Sequence, residues 1–411
     1  MDRRKRIVEE ILQLLACRSV TGDARGIMLC QNLVREHATN LGFETEIVAG
    51  GRVLVISPKG LKRPAKLGIV VHLDTVPYES SEWTHNPLGE ISSGRIIGRG
   101  IIDDKGPITL AMHAFDELHG EIEDSWQIIV GSDEEGSWED MKCFLSGSPI
   151  LPEFLVTIDG DGVQNGCRGY MDIRLEFKRE TDTNIIKNLY VPNGSNNTIP
   201  AVCVLELEGE HRYLGVGKKA HSSIPSQGRS AITELATRVD GDAYKEYASF
   251  FDLLRRLDKT YDAYFIRIPD AEVSVTNVHM DKNGPILNLN VRMEKDIEYN
   301  VLSRALMDLM LNYNCNAEIV DFIRPSSVDK DSPEIKAMQK AYEEVMGKKA
   351  TVSIARGVGY NAALPNCAIF GPRFEAAHDE EDTCHQANEN RSLDDLFKFY
   401  DMLKIFVKEV L

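Results

Sequence analysis

The sequence has no long apolar stretch, no excess of basic residues and no closely paired cysteines. None of its apolar runs approaches the ~18 residues of a membrane-spanning helix, so we expect no membrane partner. The 64 acidic residues outnumber the 47 basic ones and give a net charge of −17, which argues against nucleic acid as a partner. The eight cysteines lack C-x-x-C spacing, and Glu9 and Glu10 interrupt any signal-peptide core. Together these features predict reduced thiols in the cytoplasm.

What the sequence does contain is typical of a globular enzyme with two domains. The chain has 411 residues, of which 43% are hydrophobic and 27% charged. Over residues 1–165, apolar runs alternate with helical patterns, which predicts an α/β domain with a mostly parallel sheet flanked by helices. Residues 166–327 resemble a separate, inserted α+β domain. Residues 328–411 end in a long amphipathic helix and are predicted to complete the first domain.

A polar pair interrupts one of the apolar runs. In "VVHLDTVP" (residues 70–77), His72 and Asp74 stand two apart among buried-strand residues. Side chains two apart on a strand share a face, so both can point into one pocket beyond the strand end. For an isolated H-x-D, a core histidine paired with a carboxylate is the more common explanation. Other ligand-type residues in similar places decide between the two interpretations.

Four further stretches carry acids or histidine where predicted core elements end. They are "GRGIIDDKGP", "IIVGSDEEGS", "FLVTIDGDG" and "EEDTCHQANEN". Any one of them alone is most simply a solvated cap, but ligands of α/β sheets bind beyond the carboxyl ends of the strands. Together the five sites supply two histidines and at least three carboxylates. This nitrogen and oxygen set suits zinc, or manganese or cobalt in its place.

In order and spacing, these motifs resemble those of the two-metal exopeptidases and deacylases. That family includes carboxypeptidase G, peptidase T, succinyl-diaminopimelate desuccinylase, aminoacylase and the peptidase V dipeptidases, and the last branch is the most similar. The resemblance covers nearly the whole chain. It implies a zinc-exopeptidase fold with an inserted lid or dimerisation domain, and hydrolysis of the amide bond of dipeptides or short peptides by metal-activated water.

The resemblance also implies which residues hold the two divalent ions. Asp103 corresponds to the carboxylate that bridges both ions. His72 and Asp159 correspond to the further ligands of one ion, and Glu135 and His385 to those of the other. Zn²⁺ is the expected ion, with Mn²⁺ or Co²⁺ as alternatives.

Two further roles follow from the same resemblance. Glu134 corresponds to the general base, which takes a proton from water and passes it to the leaving amine. Asp74 corresponds to the partner that orients His72 through the other ring nitrogen. The resemblance also implies a cis peptide bond between Asp103 and Asp104.

Three residues of the inserted domain match positions that contact substrate in the family. His221, in "GKKAHSSIPSQGRSAI", corresponds to the histidine that stabilises the oxyanion. Asn197, in "NNTIP", matches an asparagine that contacts substrate. Arg292, in "NLNVRM", matches an arginine that receives a substrate carboxylate, for which a guanidinium is well suited. A solvated strand residue is the alternative for Arg292.

The match fails in one loop. Where peptidase V has a glycine-rich stretch with an arginine, this chain has "IARGVGYNAAL", with Ala362 at the arginine position. In the family, this loop is expected to bind the terminal carboxylate of the substrate. We assign Arg356 to that carboxylate, and the altered loop leaves substrate preference open. His378 is interpreted as a loop residue rather than a ligand. Cys384 adjoins His385, but adjacency alone does not identify a ligand, and we leave it out of the set.

Two other functions compete with the peptidase. The same metal centre could act on an N-acyl amino acid, which would make the chain a deacylase. From a different class, the chain could be a catalytically silent binding protein, but the intact ligand set and Glu134 argue against this. Either enzyme would take a small-molecule substrate. The size of the insertion leaves a monomer and a homodimer through the lid domain both open.

Overall fold

The protein folds into two compact units. The structure, a computed structural model, describes residues 2–257, 271–373 and 383–411. The first unit comprises Met1–Cys167, Ser326–Ala355 and Gly359–Leu411, and the second comprises Arg168–Pro325 and Arg356–Val358. Whether the second unit acts as a lid or in dimerisation stays a prediction.

The first stretch of the chain alternates strands with helices. Its elements are α1 (Arg3–Ala16), α2 (Ala24–Asn40), β1 (Glu44–Val48), β2 (Val53–Ser57), β3 (Leu67–His72), β4 (Glu90–Ser92), β5 (Arg95–Ile97), α3 (Lys105–Glu117), β6 (Trp126–Gly131), α4 (Glu139–Ser146), β7 (Phe154–Thr157) and β8 (Val163–Cys167). Helix α3 begins within the quoted stretch "GRGIIDDKGP", with Pro107 in its first turn, where a missing N–H costs no hydrogen bond.

The second unit contains an antiparallel sheet and short helices. Its elements are β9 (Gly169–Phe177), β10 (Ile186–Tyr190), β11 (Thr198–Ile199), β12 (Val202–Leu207), β13 (Arg212–Val216), β14 (Ala220–His221), α5 (Ala231–Ala236), α6 (Gly241–Glu246), α7 (Ala248–Leu257), β15 (Ala271–Asp281), β16 (Gly284–Met293), α8 (Tyr299–Tyr313) and β17 (Cys315–Ile323). Seven strands form one sheet in the order β13-β12-β10-β15-β16-β9-β17. Helices α5, α7 and α8 share its apolar core.

The chain then returns to the first unit. The remaining elements are β18 (Ser326–Ser327), α9 (Pro333–Met346), β19 (Val352–Ala355), α10 (Tyr360–Ala363), β20 (Cys367–Phe370), β21 (Asn390–Ser392) and α11 (Leu393–Val410). Ser332 caps the start of α9, because its hydroxyl accepts a hydrogen bond from the N–H of Ile335 at 3.3 Å. Ser392 caps α11 in the same way.

The large sheet of the first unit is parallel at its centre. Its strands follow the order β1-β2-β6-β3-β7-β20-β8-β18, and β19 pairs with β8. The central strands β6, β3, β7 and β20 run parallel, whereas β1, β2 and β18 pair antiparallel at the edges. The predicted α/β fold with a mostly parallel central sheet is confirmed.

Helices cover this sheet and bury its strands. All six residues of β3 are buried, as expected for a strand covered on both faces. Phe115 of α3 stacks on Trp126 of β6 with ring centroids 4.0 Å apart, and Phe399 and Phe406 of α11 pack against Phe370 of β20. Each such buried side chain contributes about 1.5–3 kcal/mol relative to exposure. The rigid centre of the sheet thus fixes where its strand ends lie. Among the described residues, no helix is long and apolar enough to cross a membrane.

Candidate metal centre and catalytic site

Ligand-type side chains meet where three neighbouring parallel strands end. His72 is the last residue of β3, and β3 lies between β6 and β7. The acids Glu134 and Glu135 follow β6, and Asp159 follows β7. Because carboxyl ends of parallel strands share one edge of a sheet, these side chains converge. Nε2 of His72 lies 4.0 Å from Oδ2 of Asp159.

Asp103 joins this group to a second histidine. Its Oδ1 lies 2.7 Å from Nε2 of His72, and its Oδ2 lies 3.0 Å from Nε2 of His385. The same nitrogen of His385 lies 2.7 Å from Oε1 of Glu135. Each carboxylate oxygen of Asp103 therefore faces a different histidine. His385 has a φ of 62°, a left-handed conformation that is uncommon outside glycine and occurs preferentially at functional sites.

The loop that carries Asp103 is held by a buried glutamate that the sequence analysis did not assign. The carboxylate of Glu389 accepts hydrogen bonds from the backbone N–H of Gly100 and of Ile102, and Nη1 of Arg99 donates to it at 2.6 Å. Glu389 is fully buried. Its presence in the quoted "HQANE" motif is the only signal that could have identified it. The peptide bond between Asp103 and Asp104 is cis, as predicted.

Asp74 contacts His72 and has further partners that the sequence did not predict. Nδ1 of His72 lies 3.0 Å from the backbone oxygen of Asp74 and 3.4 Å from its Oδ1, so the carbonyl is the nearer partner. The carboxylate also accepts hydrogen bonds from the N–H groups of Glu134 and Glu135, at 3.0 and 3.1 Å, and from the Thr21 hydroxyl at 2.8 Å. Asp74 thus fixes both the ring of His72 and the turn that carries the two glutamates.

Glu134 and Glu135 lie in a tight turn. A Cβ at Gly136 would lie 2.2 Å from Oδ1 of Asp133, and a Cβ at Gly359 would lie 2.8 Å from Oε1 of Glu134, so a larger residue at either position would displace a carboxylate of this turn. Burial raises the pKa of the Glu134 carboxyl well above its usual range, and the nearby carboxylates raise it further against the opposing effect of His72. A carboxyl with a raised pKa holds a proton more readily, which suits a group that accepts one from water.

Tyr360 contacts the turn that carries Glu134 and Glu135. Its hydroxyl donates a hydrogen bond to Asp140 and accepts one from the N–H of Asp133 at 3.2 Å. Its ring meets the ring of His72 edge-on, with centroids 6.3 Å apart. Tyr360 lies in the altered loop "IARGVGYNAAL", where the sequence alone indicated no role for it. Its buried position identifies it as a positioning residue.

The donor set and its electrostatics fit bound divalent cations. Among the described residues, two groups of side chains each offer three donor atoms that lie within 4.8 Å of one another. One group is formed by His72, Asp103 and Asp159, and the other by Asp103, Cys384 and His385. Burial by itself lowers the pKa of His72 and His385, but hydrogen bonds with Asp103 outweigh it, and both pKa values are raised. The site therefore favours positive charge at the points between these side chains.

The comparisons with known proteins agree with this geometry. The model of Peptidase family M20/M25/M40 matches residues 68–409. The chain belongs to this family. It is accordingly a metal-dependent hydrolase of peptide bonds.

One relative of this M20 chain is the Beta-Ala-Xaa dipeptidase of Lactobacillus delbrueckii subsp. lactis, which is 25% identical over 407 residues, 86% of this chain and 83% of the relative. Two solved structures share the fold. A tripeptidase from Staphylococcus aureus subsp. aureus Mu50 has a TM-score of 0.65 at 16% identity, and the match covers 99% of this chain and 98% of the tripeptidase chain. An M20 metallo-carboxypeptidase from Sulfolobus solfataricus has a TM-score of 0.64 at 17% identity, and the match covers 100% of this chain and 99% of the carboxypeptidase chain.

The residues of this M20 chain that are predicted to contact substrate lie in the second unit. Three of them form one cluster, namely Asn197, His221 and Arg292. β11 pairs with β14 so that Thr198 faces His221. The backbone oxygen of Asn197 accepts a hydrogen bond from the N–H of Ser222 at 2.8 Å, and Nη2 of Arg292 donates to the Ser222 hydroxyl at 3.1 Å. Arg292 is buried, so the alternative of a solvated strand residue is wrong.

The hydrogen bonds of His221 define its tautomer. Its Nδ1 accepts from the backbone N–H of Ser223 at 3.1 Å, with the Ser223 hydroxyl 2.7 Å away. A neutral imidazole that accepts at Nδ1 carries its proton on Nε2. The side chain is exposed at the surface of the second unit.

Two residues of the sequence analysis remain, Arg356 and His378. Arg356 is exposed and begins the short segment Arg356–Val358, which groups with the second unit. His378, interpreted from the sequence as a loop residue, lies outside the described residues.

Proposed function

We propose that the chain hydrolyses the amide bond of dipeptides and short peptides with two divalent ions that share Asp103. One observation carries the proposal. The two carboxylate oxygens of Asp103 lie 2.7 and 3.0 Å from the Nε2 atoms of His72 and His385, respectively. Asp103, His72 and His385 would thus hold the two ions, with the Asp103 carboxylate as their common ligand.

The remaining ligands follow from proximity to each histidine. Asp159 lies beside His72 and would complete one ion site, and Glu135 lies beside His385 and would complete the other. Two nitrogens and three carboxylates favour Zn²⁺, with Mn²⁺ and Co²⁺ as alternatives. When bound, two such ions supply activation of water and polarisation of the scissile carbonyl.

The proton transfers belong to Glu134. Its carboxylate would take the proton of the attacking water and hand it to the leaving amine, which requires a base that releases the proton again. Burial and neighbouring carboxylates raise the pKa of Glu134, which supports this role. Asp74 supports it indirectly, because its carboxylate holds the backbone of the turn that carries Glu134.

Substrate recognition is assigned to the predicted residues of the second unit. The Nε2 proton of His221 suits donation to the oxyanion of the tetrahedral state. Arg292 and Arg356 carry the positive charge that a substrate carboxylate needs, and Asn197 lies beside His221. The dipeptidase activity named for the Lactobacillus relative supports a substrate of two residues.

We also propose that the enzyme works in the cytoplasm, as a monomer or as a homodimer through its second unit. None of the eight cysteines forms a disulfide, which agrees with a reducing compartment.

The test is hydrolysis of a panel by protein stripped of metal and refilled with Zn²⁺ or Mn²⁺. The panel holds free dipeptides, their N-acetylated forms and single N-acyl amino acids. Glu134→Gln keeps the side-chain size but removes the base, and we expect a loss of activity on the order of 10²–10⁴-fold. Glu139→Gln, on the exposed start of α4, is the matched control and should keep full activity.

The pattern of cleavage decides between the functions. Metal-dependent cleavage of free dipeptides supports the proposal. Cleavage of N-acyl amino acids instead would identify a deacylase. Bound metal without turnover of any member would contradict both and favour a binding protein.

A further inference from the structure

Cys384 contacts the proposed bridging carboxylate. Its Sγ lies 3.5 Å from Oδ2 of Asp103, the same oxygen that faces His385 at 3.0 Å. The sulfur of Cys384, an oxygen of Asp103 and a ring nitrogen of His385 all lie within 4.8 Å of one another. The half-buried thiol therefore lies among the donors of one proposed ion site.

We propose that Cys384 is a further metal ligand, a thiolate donor to the ion held by His385 and Glu135. The proposal rests on the two-ion centre of the proposed function. It gives the two ion sites different chemistry, with one site formed by nitrogen and oxygen donors alone and the other containing sulfur.

The distances agree with a shared ion. Zinc binds cysteine sulfur at about 2.3 Å and carboxylate oxygen at about 2.0 Å, so two such donors at a tetrahedral angle lie about 3.5 Å apart. The separation between Sγ of Cys384 and Oδ2 of Asp103 is 3.5 Å. Cys384 can thus take a place beside Asp103 on one ion with little movement of the side chains.

A half-buried arginine offsets the negative charge that a thiolate would add. Nη1 of Arg373 lies 3.2 Å from Sγ of Cys384 and 3.9 Å from Oδ2 of Asp103. Nε of Arg373 donates to Oδ1 of Asp161 at 2.7 Å, which fixes the direction of the guanidinium. A fixed positive charge beside the sulfur makes an anionic donor compatible with a site that already contains several carboxylates.

Sulfur ligation has a consequence for metal preference. Thiolate is a soft donor that favours zinc and similar ions, whereas carboxylate and water suit manganese. A site containing Cys384 should therefore discriminate against Mn²⁺ more strongly than the site of His72 and Asp159. The alternative is that the thiol only donates a hydrogen bond to Asp103, in which case it would not affect the spectrum of a bound ion.

The decisive experiment is titration of the metal-free protein with Co²⁺ while the absorption spectrum and the bound cobalt are recorded. Wild type should develop a near-ultraviolet sulfur-to-cobalt charge-transfer band. Cys384→Ser should lose the band, and Cys384→Ala provides a second variant with the same expectation. Cys143→Ser, at another half-buried thiol on α4, should keep the band. Wild type that binds two cobalt ions without the band would overturn the proposal, as would a band that persists in both Cys384 variants.

Metal affinity gives an independent readout. Competition with a chelating dye should show that Cys384→Ser weakens Cd²⁺ binding at the sulfur site on the order of tenfold or more, with a smaller effect on Mn²⁺. Equal weakening of both ions would contradict soft-donor ligation. Dipeptide turnover of the same samples separates the two proposals. The band without turnover supports Cys384 ligation and overturns the peptidase function, whereas turnover without the band does the reverse.

Discussion

At the scale of single residues, the site depends on side chains that serve two neighbours at once. Asp103 faces both histidines, and Asp74 holds both glutamates of the turn through their N–H groups. Burial alone would raise the pKa of Asp103, but hydrogen bonds with His385 and His72 outweigh it and lower that pKa well below its usual range. Removal of such a residue disturbs two partners, so its effect should exceed that of a single lost hydrogen bond.

Asp74→Asn tests this at the turn. The two carboxylate oxygens of Asp74 accept hydrogen bonds from the N–H groups of Glu134 and Glu135. Asparagine has only one side-chain oxygen, so one of these two N–H groups would face an NH₂ donor and lose its hydrogen bond. We expect kcat to fall on the order of 10–100-fold with a smaller change in KM, because the turn holds the base and a ligand rather than the substrate. Steady-state kinetics on a dipeptide measure the split. Asp394→Asn, on the exposed first turn of α11, is the control, and equal kinetics for the two variants would contradict the role of Asp74.

At the scale of elements, the ends of strands and loops position the site. The apolar runs predict β3, β6 and β7, and their ends predict where His72, Glu134 and Asp159 lie, because strand length and burial are local properties of the sequence. Contacts between distant segments could not be predicted in this way. Glu389 is 287 residues from Ile102, whose N–H it accepts, and Cys384 is 281 residues from Asp103. The antiparallel edges of the sheet also depend on tertiary pairing.

Glu389→Ala tests the support of the Asp103 loop. The variant leaves Arg99 buried without its carboxylate, which costs about 3–5 kcal/mol for a buried pair. We expect a lower unfolding midpoint in urea and weaker metal binding. Glu121→Gln removes an exposed ion pair with Lys408 and should change the midpoint little. A midpoint for Glu389→Ala as high as that of Glu121→Gln would show that the loop does not need this carboxylate.

A second element-scale prediction concerns the packing of α1 on α3 at low pH. Burial alone would raise the pKa of Glu10, but hydrogen bonds from His113 and Arg6 outweigh it and lower the pKa from 4.5 to about 2. A folded-state pKa below the unfolded value adds stability that is present above pH 4.5 and is lost as the pH falls towards 2. The contribution is on the order of 3 kcal/mol.

Unfolding midpoints of wild type and Glu10→Gln, measured across pH, test this contribution. The two curves should differ most above pH 4.5 and converge as the pH falls towards 2. A constant gap between the curves across this range would contradict a charged Glu10 as the source of the stability.

At the scale of the whole molecule, each unit carries its own set of polar residues. The ends of the parallel strands bring the proposed metal ligands together in the first unit. The second unit contains a separate cluster of polar residues. Family membership fixes the reaction class, and the ligands of the proposed centre all lie in the first unit. Metal content should therefore control turnover without altering the antiparallel sheet of the second unit.

We propose that the chain hydrolyses dipeptides and that Asp103, His72 and His385 would hold two ions needed for this reaction, which metal titration of the stripped protein tests. Bound metal per chain and the rate of dipeptide hydrolysis are measured in the same samples. We expect no turnover without metal and a rate that rises to a plateau at two ions per chain. Full hydrolysis by the metal-free protein, or a plateau at a single ion that a second does not change, would contradict it.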